Sequence, residues 1–170
     1  NSIALARRGA RCAAWDISER QLDHGRALAA EAGVEVQFAR ADLDALPPHG
    51  VDWDLIHSAY GVPFASDPER LIRACADRLA PGGLLLLSLG HPVYAGEWLE
   101  LDEEQGLFLT DYFHPMPDVR EGHEDSSAQA RAFPVSESVR WIREAGLTLL
   151  DLREPAALPV DRMAAEDRER

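Results

Sequence analysis

The chain has 170 residues, 46% hydrophobic and 28% charged, which is enough for one domain with a real core. A formal net charge of −13 argues against nucleic acid as a partner, since that footprint needs clustered cations. No apolar run approaches the ~20 residues that cross a bilayer, so no membrane partner is expected either.

In chain order, Ser2 to Arg8 reads as a short helix stopped by Gly9, and Arg11 to Trp15 as the first strand. Ser18 caps the next helix, with Gln21 three residues on completing a capping box; Leu22, Leu28 and Ala29 give its apolar face, and Gly33 ends it. Val34 to Ala39 is the second strand. After the turn Pro47-Pro48-His49-Gly50 comes a strand from Trp53 to Ser58. Asp67-Pro68 opens a helix as N-cap and first-turn proline, with Leu71, Ile72, Cys75 and Leu79 inward. Pro81-Gly82-Gly83 breaks it, and Leu84 to Leu89 is a buried strand in length. Regularity lapses from 90 to 133, a stretch too long for an ordinary connection and read as a lid or insertion, with a short strand at 107–109. A helix near Ser136 to Ala145, ended by Gly146, and a strand from Leu147 to about Arg153 close the domain, and 156–170 is a charged tail. Alternation of this kind predicts an α/β fold, a doubly wound and mainly parallel sheet with helices on both faces.

The chemistry-bearing residues fall where such folds bind ligands. Asp16 and Asp42 each lie just past a strand, and acids at the carboxyl ends of open sheets commonly hold ribose hydroxyls. Both residue types also serve as helix caps and turn formers. All 17 basic residues are Arg, so a lysine-ended phosphate loop, a pyridoxal Schiff base and a Tyr-x-x-x-Lys centre are excluded within this chain. Ten acids and only Arg120 lie between Glu97 and Asp125, either a solvated face or an attractor of cationic substrate. Cys12 and Cys75 read as buried free thiols of a reducing compartment, which points to the cytoplasm. No Cys/His spacing resembles a zinc site, and no metal is expected.

Trp15-Asp16-Ile17-Ser18, Ala41-Asp42-Leu43-Asp44-Ala45-Leu46-Pro47, Trp53-Asp54-Leu55-Ile56-His57-Ser58 and Leu79-Ala80-Pro81-Gly82-Gly83 share their order and spacing with a known family. Together they resemble the class I S-adenosylmethionine-dependent methyltransferases of the small-molecule type, over roughly Asn1 to Pro155. Ala41 stands where the family pattern has Gly. The resemblance implies a Rossmann-like fold and S-adenosylmethionine as cofactor. It also implies that Asp16 accepts from the ribose hydroxyls, Ile17 lies on the adenine, Asp42 accepts from the adenine amino group, the Leu43 N–H meets a ring nitrogen, and Ser58 lies near the methionine part. The family's first strand and its Glu/Asp-x-Gly-x-Gly-x-Gly loop would precede Asn1, and its last strand would follow Arg170. A chain truncated at both ends, with a gap at the centre of its sheet, is therefore expected.

Methyl transfer to a small-molecule acceptor by in-line displacement is the function so implied. Alignment alone recovers ~7–11 kcal/mol of such a barrier. A base is needed only if the acceptor must lose a proton, and His57, His91 and His114 are the candidates. Tyr60, Tyr94, Trp98, Tyr112, Phe113 and Met116 are candidates to line an acceptor pocket, or simply pack the lid on the sheet. Two other readings stand beside this one: an NAD-type oxidoreductase, and a non-catalytic module of methyltransferase shape. The acceptor atom and the oligomeric state are left open by the sequence.

Overall fold

The computed structural model describes residues 1–48, 52–95, 97–101, 104–108, 111–115, 117–121 and 127–154. Helix α1 (Ser2–Ala6) precedes strand β1 (Cys12–Asp16), which is joined to β2 (Val36–Arg40) by α2 (Glu19–Glu31). The Ser18 hydroxyl accepts from Gln21 N at 3.4 Å and starts α2, but the expected capping box is only half made, because the Ser18 N–H donates to Asp16 Oδ1 and not to the Gln21 side chain. The two strands pair in parallel, Cys12 opposite Val36 and Asp16 opposite Arg40, while Leu22 and Ala29 of α2 are buried.

A second parallel pair holds the larger core. Strand β3 (Trp53–Ala59) leads through a 3₁₀ turn (Val62–Phe64) and α3 (Pro68–Ala76) into β4 (Leu79–Ser88). Asp67 caps α3, its Oδ1 accepting from Arg70 N at 2.9 Å. Leu71, Ile72 and Cys75 are buried on its inner face, with Ile72 fully covered. Val62, Ala65, Leu71 and Cys75 form a cluster onto which Leu43, Leu46, Ile56, Leu85, Leu87 and Leu89 pack. Burying a Leu or Ile side chain contributes ~1.5–3 kcal/mol, so this cluster carries much of the stability.

Two expectations are corrected here. Helix α3 stops at Ala76, and Leu79, expected on its core face, instead begins β4 opposite Trp53. The register then jumps, with Leu55 opposite Leu84, so residues 80–83 bulge out of the ladder. Gly82 has φ +79°, and a Cβ on Gly83 would stand 2.8 Å from the Trp53 carbonyl oxygen. The Pro-Gly-Gly run is therefore a bulge inside a strand, and glycine is required there by backbone conformation and by close approach.

The strand expected over 147–153 is also absent: 147–154 form no ladder among the described residues, and Leu149, Leu150 and Leu152 are exposed. A strand is defined by its partner, and none of the described strands lies alongside this segment. The expected gap in the sheet is present. Strands β1 and β2 form one two-stranded sheet, β3 and β4 another, and β1 does not pair with β3.

Strand structure occurs among the described residues of the irregular stretch. The stretch holds two antiparallel hairpins, β5 (Glu97–Leu101) with β6 (Glu104–Phe108), and β7 (Asp118–Glu121) with β8 (Ser127–Ala130). The short strand expected near 107 is thus the end of β6. Helix α4 (Val135–Glu144) follows and packs on α3, where Arg140 bridges Glu69 of α3 and Glu137 and Glu144 of its own helix. The charged tail, 156–170, lies outside the described residues.

Candidate functional site

The carboxyl ends of β1 and β2 lie side by side, and each presents an exposed aspartate. Asp16 stands opposite Arg40, and Asp16 Oδ1 accepts from Ser18 N at 2.8 Å. This short turn fixes the carboxylate while Oδ2 has no partner among the described residues. Ile17 beside it is 58% exposed, an apolar surface unusual for a residue anchored on both sides. Its carbonyl is held by Arg40 Nε at 3.1 Å.

Asp42 repeats the arrangement one strand over. Its Oδ1 accepts from Asp44 N at 2.9 Å, and its carbonyl accepts from Ala45 N at 3.1 Å. Each aspartate spends one oxygen on a local turn and leaves the other for a ligand, so the turn-former and ligand readings are compatible. Leu43 then turns inward onto the core cluster.

The loop after β3 completes this edge. A Cβ on Gly61 would meet Ser58 Oγ at 2.9 Å and Leu43 Cδ1 at 3.5 Å, so Ser58 and Leu43 converge on a glycine that leaves room between two strand ends. Tyr60 has φ +63°, a strained backbone for a non-glycine residue, and its N–H donates to the Ser88 carbonyl at 3.0 Å. The Tyr60 side chain reaches over the end of β4: a Cβ on Gly90 would lie 2.5 Å from Tyr60 Oη. No sequence signal marked Tyr60 as left-handed, because that conformation is set by what holds it and not by its residue type.

The three histidines are placed differently. His57 is opposite Leu86 in mid-ladder, on the sheet face that carries the exposed Leu84 and Leu86 and not the core. His91 follows β4, but both ring nitrogens are engaged: Nδ1 accepts from Val93 N at 3.2 Å, and Nε2 pairs with Glu154 at 2.8 Å. His114 pairs through Nδ1 with Asp111 Oδ2 at 3.0 Å, and its well-exposed side chain has no partner for Nε2 among the described residues. That bond holds the Asp111 carboxyl below the usual carboxylate range, with the Phe113 N–H assisting. Tyr112 Oη accepts from Val135 N at 3.5 Å, which ties it to the start of α4. Met116 lies outside the described residues, and no group of three or more metal-binding side chains occurs among the described ones.

Known proteins resemble this chain in sequence and fold. Residues 1–83 match the family model described as a methyltransferase domain. Over 90 residues the chain is 31% identical to a ubiquinone biosynthesis O-methyltransferase of Marinobacter nauticus, covering 51% of this chain and 38% of that relative. The fold is that of a putative S-adenosylmethionine-dependent methyltransferase from Listeria monocytogenes, with TM-score 0.70, 15% identity, and 94% of this chain and 73% of that one covered. The chain has the fold of S-adenosylmethionine-dependent methyltransferases, and its first 83 residues are similar to a methyltransferase domain. A second such structure, from Mesorhizobium loti, superposes with TM-score 0.63 at 24% identity over 80% of this chain and 62% of its own. The chain spans well under half the length of the curated relative.

The residues at these strand ends suit a nucleoside ligand. Two aspartates with open oxygens suit hydroxyl and amino donors, the exposed Ile17 suits a flat ring, and the glycine at 61 keeps the strand ends apart.

Proposed function

We propose that this protein transfers the methyl group of S-adenosylmethionine to a small-molecule acceptor, and that the paired half-used carboxylates of Asp16 and Asp42 carry the reading. Asp16 holds the ribose hydroxyls, with Ile17 against the base. Asp42 and the Leu43 N–H hold the adenine edge, and Ser58 borders the methionine part. The bound cofactor supplies an electrophilic methyl on a sulfonium, which an in-line acceptor takes as the thioether leaves. The protein's own task is alignment.

Residues 1–155 form the domain, with 90–133 as a lid over the acceptor and the exposed Tyr60 ring on its border. An oxygen acceptor is favoured by the name of the Marinobacter relative. If that oxygen must lose a proton, His114 is the best placed of the three histidines. Its Nε2 has no partner among the described residues, and Asp111 orients its ring, as a general base requires. His57 lies on a sheet face, and His91 is occupied at both nitrogens. The buried, free Cys75, its thiol pushed up by burial, accords with a reducing compartment such as the cytoplasm.

The test is a calorimetric titration of S-adenosylhomocysteine into the full-length protein. Saturable binding is expected, with Asp16→Ala weakening it roughly ten- to hundredfold, as loss of charge-assisted hydrogen bonds implies. Absence of binding by the folded protein overturns the reading. Binding without turnover on any acceptor favours the non-catalytic module instead.

A further inference from the structure

The turn after β3 is gripped from two directions. On one side, Asp44 Oδ1 accepts from Ser66 N at 2.9 Å, and the Asp44 carbonyl accepts from Arg70 Nη2. On the other, Arg131 Nη2 donates to the carbonyls of Ala65 at 2.6 Å and Ser66 at 2.7 Å, while Arg131 N donates to the Pro63 carbonyl at 2.9 Å. Ser66 is therefore held at its N–H by the loop that follows β2 and at its carbonyl by the residue that follows β8. The grip is firm: Val62 and Ala65 within the turn are each only 1% exposed, and the Arg131 guanidinium lies 5.5 Å from the Phe133 ring centroid.

Asp44 also belongs to the site edge. Its N–H bonds Asp42 Oδ1, and its neighbour Leu43 packs on the same cluster as Val62 and Ala65. A shift of the turn therefore moves Asp44, and through it the turn that aims Asp42. We propose that Asp44 and Arg131 are positioning residues, which lock the Asp42–Leu43 segment through Ser66 and so couple the exit of the 90–133 segment to cofactor affinity. This rests on the nucleoside reading of Asp42 given above. Neither residue touches the cofactor in it; both act through hydrogen bonds to backbone.

The experiment titrates S-adenosylhomocysteine into the full-length wild type, Asp16→Ala, Asp44→Ala, Asp44→Asn and Arg131→Met, reading affinity and stoichiometry separately. Asp44→Ala and Arg131→Met are expected to raise Kd about two- to tenfold at unchanged stoichiometry, the size of one or two lost hydrogen bonds. Asp44→Asn, which keeps an acceptor for Ser66 N, is expected to recover part of the loss. In wild type, ligand should slow amide exchange across 42–46 and also 127–131, and Arg131→Met should abolish the second effect only. A lower stoichiometry at unchanged Kd would mean a folding defect and overturns the proposal. Unchanged Kd in the Asp44 and Arg131 variants, with Asp16→Ala impaired, overturns it and leaves the nucleoside site standing. No binding by wild type overturns both.

Discussion

Gly83 shows how much a single position can be asked to do. Its Cα faces the Trp53 carbonyl inside a paired strand, so the extra methyl of Gly83→Ala meets backbone that cannot swing aside as a side chain can. Overpacking of this kind costs about 1–3 kcal/mol, and urea unfolding should show a loss of that size. Asp44 allows a test by pH. Hydrogen bonds from the Ser66 hydroxyl, then from the Ser66 and Asp67 N–H groups, lower its carboxyl below the ordinary value of about 3.9. A depressed acid contributes stability that is full above the unfolded value and is lost as pH falls through the folded one. Thermal unfolding followed from pH 5 downward should therefore show a smaller acid-induced loss in Asp44→Asn than in wild type below about pH 4. The strand-end positions of Asp16 and Asp42 were legible from residue type and spacing, whereas Ser58 was singled out only through the family resemblance. The Asp44–Ser66–Arg131 grip was not legible, since its members lie 22 and 65 residues apart and meet only when the chain folds.

At the scale of elements, local signals worked where the physics is local. Ser18 and Asp67 cap their helices through the bonds that their spacing implies, and α2 and α3 begin where expected. Asp67→Ala should cost about 1 kcal/mol in urea unfolding, with α3 amides exchanging faster at its first turn. The end of α3 was misplaced because Leu79 continues the apolar spacing of the helix, yet pairing with Trp53 draws it into β4. The same competition explains 147–153. Its apolar composition suits a strand, but a strand needs a ladder to join. Strands β5, β7 and β8 and the start of β6 went unread for the opposite reason: each strand is only four or five residues long, too short with its polar residues for a clear two-residue alternation.

For the whole molecule, two parallel pairs are each backed by helices, but they do not share one continuous sheet. Their cores differ in size. The β3–β4 half buries the Val62, Ala65, Leu71 and Cys75 cluster, whereas the β1–β2 half covers Leu22 and Ala29. Hydrogen exchange should thus find the slowest amides in β3, β4 and α3, with β1 and β2 opening at lower free energy. Leu55, Leu84 and Leu86 remain exposed on the face away from α3. A ligand that bridges Asp16, on one half, and Ser58, on the other, would link the two halves. Binding of S-adenosylhomocysteine should therefore slow exchange in β1 and β2 more than in β4.

The sequence by itself determined the resemblance to methyltransferases, the α/β class, most helix starts and the two aspartates at the strand ends. Those follow from residue type and short spacing, which act within a turn or a strand. Tertiary structure decided the strand bulge at Pro81-Gly82-Gly83, the left-handed Tyr60, the separation of the sheet into two pairs and the double grip on Ser66. Each of these depends on which backbone comes to lie against which, and that is set by the packing of distant segments.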